Sequence, residues 1–147
     1  MIAVDTNILV YAHRADSEWH AAAAGAVASL ANGAEPWAIP WPCIHEFLAI
    51  VTHPRIFSPP TPLARAIDQV DAWSESPTVT LLGEGASYWT AFRALAVKGR
   101  LAGPNIHDGR VAALCVNHGV SELWSADRDF GRFATLTIRN PLVSKAR

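Results

Sequence analysis

Two patterns of apolar residues alternate along the chain: short continuous apolar runs, and longer segments whose apolar residues recur every three or four positions. The runs have the length of buried strands, and the longer segments have the period of helices. The predicted strands are residues 2–5, 35–39, 78–82, 122–126 and 135–138. The predicted helices are residues 6–14, residues 17–32, a segment that opens at Pro40-Trp41-Pro42 and carries Glu46, and residues 63–75, 86–101 and 106–118. Strands separated by helices predict an α/β fold with a central, mostly parallel sheet of five strands covered on both faces.

The length and composition of the chain fit one globular domain. Of its 147 residues, 50% are hydrophobic and 17% are charged, which is an ordinary composition for a folded domain with one core. We therefore expect a single domain over residues 1–147. The chain has no apolar stretch of membrane-helix length and no charged leader before an apolar segment at its N-terminus. These features favour a cytoplasmic protein without membrane contact.

Four carboxylates occupy positions where buried side chains are expected. Asp5 follows the first predicted strand, and Asp127 follows the apolar run 123–126, so both lie where a buried strand ends. Glu46 and Asp108 lie in predicted helices and have mostly apolar neighbours at offsets of three and four. A carboxylate in a low dielectric is costly unless it is protonated, paired with a cation or bound to a metal.

The predicted topology brings these four acids together. In parallel α/β sheets the functional crevice lies beyond the carboxyl ends of the strands. Asp5 and Asp127 are expected at that edge, and their helices must bring Glu46 and Asp108 to it. Four converging carboxylates would need a hard cation.

Cysteine and histidine residues do not have the spacing of a zinc site. Cys43 and Cys115 are far apart and form no CxxC or Cys/His motif, so we expect two small core residues rather than a disulfide. The six histidines form no HxxxH pair. Any metal is therefore expected to be bound through oxygen, which suits Mg²⁺ or Mn²⁺.

Charge is unevenly distributed, although the net charge is only −1. Residues 1–74 carry three Arg and seven acids, a net charge of −4, and residues 75–147 carry nine basic residues and six acids, a net charge of +3. Six of these cations are Arg93, Lys98, Arg100, Arg110, Arg128 and Arg132. They form either a cationic surface near Asp108 and Asp127 that suits a phosphate backbone, or scattered solubilising charges.

The tryptophans offer aromatic faces for base stacking, but their sequence context favours another role. Five of the six lie in apolar segments and are expected in the core or in a dimer interface: Trp37, Trp41, Trp73, Trp89 and Trp124. Trp19 remains undecided.

The chemistry-bearing residues occur in a recognisable order. They are Asp5-Thr6-Asn7 after the first strand, Glu46 in a helix, Asp108 at the start of a helix, and Ser125-Ala126-Asp127-Arg128-Asp129-Phe130 after a strand. Together, over nearly the whole chain, they resemble the PIN-domain nucleases, and specifically the VapC-type toxins of prokaryotic toxin–antitoxin pairs. The segment Thr52-His53-Pro54-Arg55-Ile56-Phe57 also resembles a loop found in one subset of these toxins.

The resemblance implies a PIN-like three-layer α/β/α sandwich and a Mg²⁺- or Mn²⁺-dependent endoribonuclease that hydrolyses RNA phosphodiester bonds through a metal-activated water. It also implies neutralisation by a cognate VapB-type antitoxin, whose C-terminal segment would cover the acidic cleft, and a homodimer. The RNA sequence, the number of metal ions and the dimer geometry do not follow from it.

Each acid is assigned a role on the basis of this resemblance. Asp5 and Asp108 are the principal metal ligands, and Glu46 and Asp127 complete the cluster through the metal or its waters. Glu46 alternatively orients the attacking water. Asp129 is the alternative to Asp127, because the spacing alone does not say which side chain points inward.

Three neighbouring polar residues are assigned supporting roles at the same site. Thr6 and Ser125 support metal waters through their hydroxyls, and Asn7 positions those waters or the substrate.

The sequence disfavours two other classes of protein and leaves two alternative functions open. A haloacid-dehalogenase-type phosphatase has a second Asp two residues after the first, where this chain has Asn7. A receiver domain needs an acidic pair near the first strand, which Asp5-Thr6 does not provide. The open alternatives are a PIN-like RNA-processing nuclease that is not a toxin, and a catalytically idle interaction domain.

Each acid also has a purely structural alternative. Asp5 is explained equally by capping the following helix, Asp127 by a turn, and Asp108 by the helix dipole. For Glu46 the alternative is a buried ion pair with an arginine.

Overall fold

A computed structural model of the protein describes residues 1–143 and contains one five-stranded sheet. Its strands are β1 (Ile2–Val4), β2 (Trp37–Pro40), β3 (Val79–Leu82), β4 (Glu122–Trp124) and β5 (Thr137–Arg139). The strand order is β3-β2-β1-β4-β5, and every neighbouring pair is parallel. The predicted α/β class and the five-stranded parallel sheet are therefore confirmed.

Six α-helices connect or follow the strands, as predicted from the helical spacing. They are α1 (Thr6–His13), α2 (His20–Ala31), α3 (Trp41–Val51), α4 (Leu63–Ser74), α5 (Tyr88–Lys98) and α6 (Asn105–Asn117). The helices form two groups: α1 packs against α2 and α3, and α3 against α4, while α5 packs against α6. None of the helices in this part of the chain has the length and apolar character to span a membrane.

Most elements begin or end one to three residues from their predicted bounds; α5, for example, ends at Lys98 rather than at residue 101. Helix α2 begins at His20 rather than at residue 17, because Ser17 lies in the turn before the helix. The Ser17 hydroxyl accepts a hydrogen bond from the Trp19 backbone N–H at 3.1 Å. A short 3₁₀ helix (Arg128–Arg132) follows β4 and was not predicted, since its five residues are too short to show a period.

The core lies against the central strands, which explains their continuous apolar sequence. All four residues of β2 are buried, and Cys43 and Cys115 are buried free thiols, as expected. Phe47 of α3 meets Trp73 of α4 edge to face, with ring centroids 4.9 Å apart. Well-packed aromatic pairs of this kind stabilise a core beyond their buried area.

The core expectation for the tryptophans is only partly correct. Trp37, Trp73 and Trp124 are buried, but Trp41 is 40% and Trp89 is 63% exposed. Both exposed side chains lie near the starts of helices, α3 and α5, where one side of the first turn faces solvent.

The sheet edge that holds the acids is built by the pairing of β1 with β4. The backbone N–H of Asp5 donates a hydrogen bond to the Trp124 carbonyl at 2.9 Å, so the pairing extends one residue past each strand. Helix α3 begins immediately after β2 at the same edge. The carboxyl ends of three adjacent strands thus lie side by side.

Candidate metal centre

Asp5 is the buried acid of the site, with only 6% of its surface exposed. Its Oδ2 accepts hydrogen bonds from the Ser125 hydroxyl at 2.7 Å and from the Asn7 amide at 3.3 Å, and its Oδ1 accepts one from the Cys43 thiol at 3.5 Å. Burial raises the pKa of Asp5 to about 6, although the Ser125 hydrogen bond opposes the rise. The side chain makes no capping hydrogen bond to α1, so the capping alternative is wrong.

Asn7 and Ser125 connect the start of α1 to the end of β4. The Asn7 amide nitrogen donates to the Ser125 hydroxyl at 3.3 Å, and its oxygen accepts from the Ala126 backbone N–H at 3.1 Å. The Ser125 hydroxyl also accepts from the Asp127 backbone N–H at 3.0 Å. These contacts fix Asp5 and Asp127 relative to each other.

Glu46 lies at the rim of the site, and the expectation that it points into an apolar face is wrong. The buried face of α3 is formed by Cys43, Ile44, Phe47 and Val51, whereas Glu46 is exposed. The Thr6 hydroxyl donates a hydrogen bond to Glu46 Oε2 at 3.3 Å. Among residues 1–143 no ion pair includes Glu46, so the arginine-pair alternative is also wrong.

Asp108 lies in the first turn of α6 and is half-buried. Burial raises its pKa, and the negative charges of Asp127, Asp129 and Glu46 raise it further, while Arg132 opposes the rise. The first-turn position fits the helix-dipole alternative. The helix dipole does not explain why the carboxylates of Asp127, Asp129 and Glu46 lie close to Asp108.

Asp127 and Asp129 both reach Asp108. Each of the three offers a carboxylate oxygen, and these atoms all lie within 4.8 Å of one another. Asp127 also caps the 3₁₀ helix, because its Oδ1 accepts a hydrogen bond from the Asp129 backbone N–H at 2.8 Å. The turn alternative for Asp127 is therefore correct, but it does not exclude a place in the cluster.

One cleft of about 120 Å³ collects the four acids assigned from the sequence. Its lining also includes the supporting residues Thr6 and Asn7, whereas Ser125 lies behind Asp5. Sequence reasoning missed four lining residues: Ile50, His107, Val111 and Phe130. Of these, His107 could have been predicted from the sequence, because it directly precedes Asp108.

The donor set of the cleft fits a hard divalent cation. Apart from the imidazole of His107, it consists of carboxylate, hydroxyl and amide oxygens, the ligands that Mg²⁺ and Mn²⁺ prefer. In the described part of the chain none of the ion pairs includes Asp5, Asp108 or Asp127. Like charges held this close repel one another, so a bound cation would stabilise the ionised cluster.

Three of the six cations singled out in the sequence have contacts that place them. Arg110 is paired with Glu84 and lines a cleft with Asp108, while Lys98 and Arg132 line a separate apolar groove. Arg132 opposes the rise in the pKa of Asp108, and its Nε donates to the Asp129 carbonyl at 3.1 Å.

Comparisons with known proteins agree with the sequence resemblance. A family model described as the PIN domain matches residues 2–136. Ribonuclease VapC43 of Mycobacterium tuberculosis is 41% identical over 142 residues, which cover 97% of this chain and 96% of the relative. Ribonuclease VapC48 of the same species is 30% identical over 137 residues, which cover 93% of this chain and 94% of the relative.

Two solved structures share the fold at low sequence identity. The crystal structure of VapBC2 from Rickettsia felis, bound to a DNA fragment from its promoter, matches with a TM-score of 0.69 at 19% identity and covers 95% of this chain and 98% of that chain. The crystal structure of VapC20 from Mycobacterium tuberculosis, described as a toxin that cleaves the sarcin–ricin loop, matches with a TM-score of 0.66 at 16% identity and covers 89% and 93%. The chain belongs to the PIN-domain family and, within that family, to the VapC ribonucleases.

Proposed function

We propose that this chain is the endoribonuclease toxin of a toxin–antitoxin pair, and that it hydrolyses RNA phosphodiester bonds in the presence of Mg²⁺ or Mn²⁺. The observation that carries the proposal is the single cleft lined by Asp5, Glu46, Asp108 and Asp127, without an ion-paired cation from residues 1–143. The ribonuclease names of the relatives support RNA as the substrate. An idle interaction domain would have no use for four such acids.

The acids are assigned different roles according to their positions in the cleft. Asp5 and Asp108 are the principal ligands, and both line the cleft. Asp127 completes the site, with Asp129 as a further oxygen donor; these two carboxylates lie with that of Asp108 in one close group, which does not include Asp5 or Glu46. When bound, the metal would activate a water and orient the phosphodiester. Glu46 is exposed at the rim, where it accepts the proton of the attacking water.

The polar neighbours set the positions of these groups. Ser125 and Asn7 hold Asp5 through hydrogen bonds of 2.7 and 3.3 Å, and Thr6 restrains Glu46 at 3.3 Å. Groups fixed in this way need little rearrangement when the substrate binds.

The cellular partners follow from the same site. We propose that a VapB-type antitoxin covers the cleft with a C-terminal segment whose basic side chain meets the acids, because a cation on a peptide satisfies carboxylates as a metal does. The VapBC2 structure, whose name pairs a VapB with a VapC, supports a VapB-type partner. We also propose one domain per chain and a homodimer.

A cleavage assay tests the proposed activity. The purified wild type is incubated with a structured RNA in Mg²⁺ and, separately, in EDTA. The Asp5→Asn variant is incubated with the same RNA in Mg²⁺. Cleavage is expected only for the wild type in Mg²⁺. The matched control is Asp16→Asn, an exposed acid paired with Arg14 outside the cleft, which should cleave like the wild type. Equal cleavage by Asp5→Asn would identify a contaminating nuclease and remove the support for this site.

A growth assay distinguishes a toxin from an RNA-processing nuclease. Expression of the chain alone should arrest growth, and co-expression with the neighbouring small gene should restore it. Continued arrest despite a soluble complex of the two proteins would contradict the antitoxin proposal.

A further inference from the structure

A second, larger cleft opens beside the acidic one and has no role in the proposed chemistry. It has a volume of about 480 Å³ and is lined by Pro42, His45, Glu46, Pro104, His107, Asp108, Arg110 and Val111. Four of these residues also line the acidic cleft: Glu46, His107, Asp108 and Val111. The two clefts therefore adjoin along this shared wall, so a ligand with its phosphate at the acids lies beside the larger one.

The imidazole of His45 lines this second cleft and contacts the indole of Trp41, which is not itself part of the lining. Trp41 is the first residue of α3, and its indole lies against the imidazole of His45, with ring centroids 6.0 Å apart and planes inclined by 31°. Trp41 is 40% exposed. Gly83 lies close to the indole, since a Cβ added at Gly83 would be 3.5 Å from Trp41 Cδ1. The indole thus has His45 and Gly83 beside it while a large part of the residue faces solvent.

The chemistry of the lining favours a nucleotide over an apolar peptide. The ring nitrogens of His45 and His107 offer hydrogen-bonding atoms, and the side chain of Arg110 is 44% exposed although it is paired with Glu84. The groove beside α5 is different, because most of its lining is apolar: Ala91, Ala94, Leu95, Val116, Phe133 and Ala134. A nucleobase needs both an aromatic face and polar contacts at its edge, and the second cleft offers both through His45, His107 and Arg110.

We propose that this second cleft is a base-binding subsite, in which an unpaired nucleobase next to the scissile phosphate stacks on the Trp41–His45 pair. His107 and Arg110 meet the polar edge of the base or its adjoining phosphate. The inference rests on the proposed function, because it takes the reacting phosphate to lie among the acids. It deepens that function by assigning a residue that selects single-stranded over paired RNA, since only an unpaired base exposes its face to stacking.

Binding of a short, fluorescein-labelled single-stranded RNA of random sequence tests the subsite. The assay measures fluorescence anisotropy in Mg²⁺, in an Asp5→Asn background that prevents turnover. Trp41→Leu is expected to weaken binding roughly tenfold, the loss typical of removing one base–aromatic stack, and Trp41→Phe is expected to restore most of it. The matched control is Trp19→Leu, since Trp19 is 37% exposed, immediately precedes α2 and lines neither cleft. Unfolding curves for all three variants verify that the fold is retained.

A second arm locates the stacked base. On the RNA cleaved by the wild type, single abasic positions are introduced one at a time. One abasic position beside the cleavage site is expected to weaken binding to the Asp5→Asn protein, and to cause no further loss when Trp41→Leu is also present, because the same contact is then already missing. Independent, additive losses at every position would overturn the proposal.

The outcomes separate this inference from the function on which it rests. If the wild type cleaves RNA in Mg²⁺ and Trp41→Leu binds RNA as tightly as Trp19→Leu does, the subsite is refuted and the nuclease stands. If Trp41→Leu keeps its RNA affinity but escapes the antitoxin, the cleft binds a peptide and the inference is wrong. If the wild type does not cleave at all, the proposed function fails whatever Trp41 does.

Discussion

The charge of Asp5 should destabilise the metal-free protein, and Asp5→Asn should therefore stabilise it. The pKa of this carboxyl rises from 3.8 to about 6 in the fold, chiefly because the group is buried. Between these two pH values the folded chain holds a proton that the unfolded chain has lost, so the free energy of unfolding falls as the pH rises. Above about pH 6 the full penalty is present, and the pKa difference corresponds to about 3 kcal/mol.

The Asn side chain removes the charge and keeps the main contacts. Its amide oxygen can accept from Ser125 at the position of Asp5 Oδ2, and its NH₂ group then faces the Cys43 sulfur. In EDTA at about pH 8, urea unfolding should show Asp5→Asn to be more stable than the wild type by as much as about 3 kcal/mol. At about pH 4 the two proteins should have nearly the same stability, because Asp5 is then protonated.

Addition of Mg²⁺ or Mn²⁺ should reverse this ranking. The metal stabilises only a fold that binds it. The melting temperature of the wild type should therefore rise when metal is added, and that of Asp5→Asn should rise much less. Asp16→Asn serves as the control, because the Arg14 hydrogen bond lowers the pKa of Asp16 and its charge stabilises the fold. A wild type that is more stable than Asp5→Asn in EDTA at about pH 8, or an unchanged metal response in the variant, would refute the reasoning.

Three further predictions concern two residues of the site and one residue of the core. Glu46→Gln should lower kcat by roughly 10²- to 10⁴-fold, the range for a lost proton acceptor, while RNA binding is retained; an unchanged kcat in single-turnover cleavage would exclude that role. Ser125→Ala removes the 2.7 Å hydrogen bond to Asp5 and should destabilise the metal-bound protein by about 1–3 kcal/mol, measured by urea unfolding in Mg²⁺, with a weaker metal response than in the wild type. Phe47→Ala leaves a cavity beside Trp73 and should cost about 3–5 kcal/mol in the same assay, whether or not metal is present.

Much of this fold is predictable because its signals are local. The apolar runs that became β1, β2 and β4 are continuous, since a central parallel strand is buried on both faces. The position of Asp5 follows from the same logic, because the residue after such a strand must lie at the carboxyl edge. The 3₁₀ helix could not be predicted, since it depends on the Asp127 side chain accepting a single backbone N–H.

The exposure of individual side chains was less predictable than their order. Glu46 has Cys43 and Ile50 at helical offsets, yet it is exposed, because the buried face of α3 is centred on Ile44 and Phe47, with Cys43 at its edge. Trp41 lies in an apolar segment, but the first turn of α3 leaves it partly in solvent. The choice between Asp127 and Asp129 could not be made from spacing, and the tight turn brings an oxygen of each to Asp108.

The position of β4 beside β1 has a consequence for synthesis of the chain in the cell. Asp5 and Ser125 are separated by 120 positions in sequence, and their 2.7 Å hydrogen bond forms only when the two strands lie side by side. A nascent chain that has left the ribosome only as far as α5 contains Asp5 and Glu46 but neither Asp108 nor Asp127. The proposed nuclease is therefore inert throughout most of its own translation, and a cell making it is exposed to cleavage only after the last third of the protein has emerged.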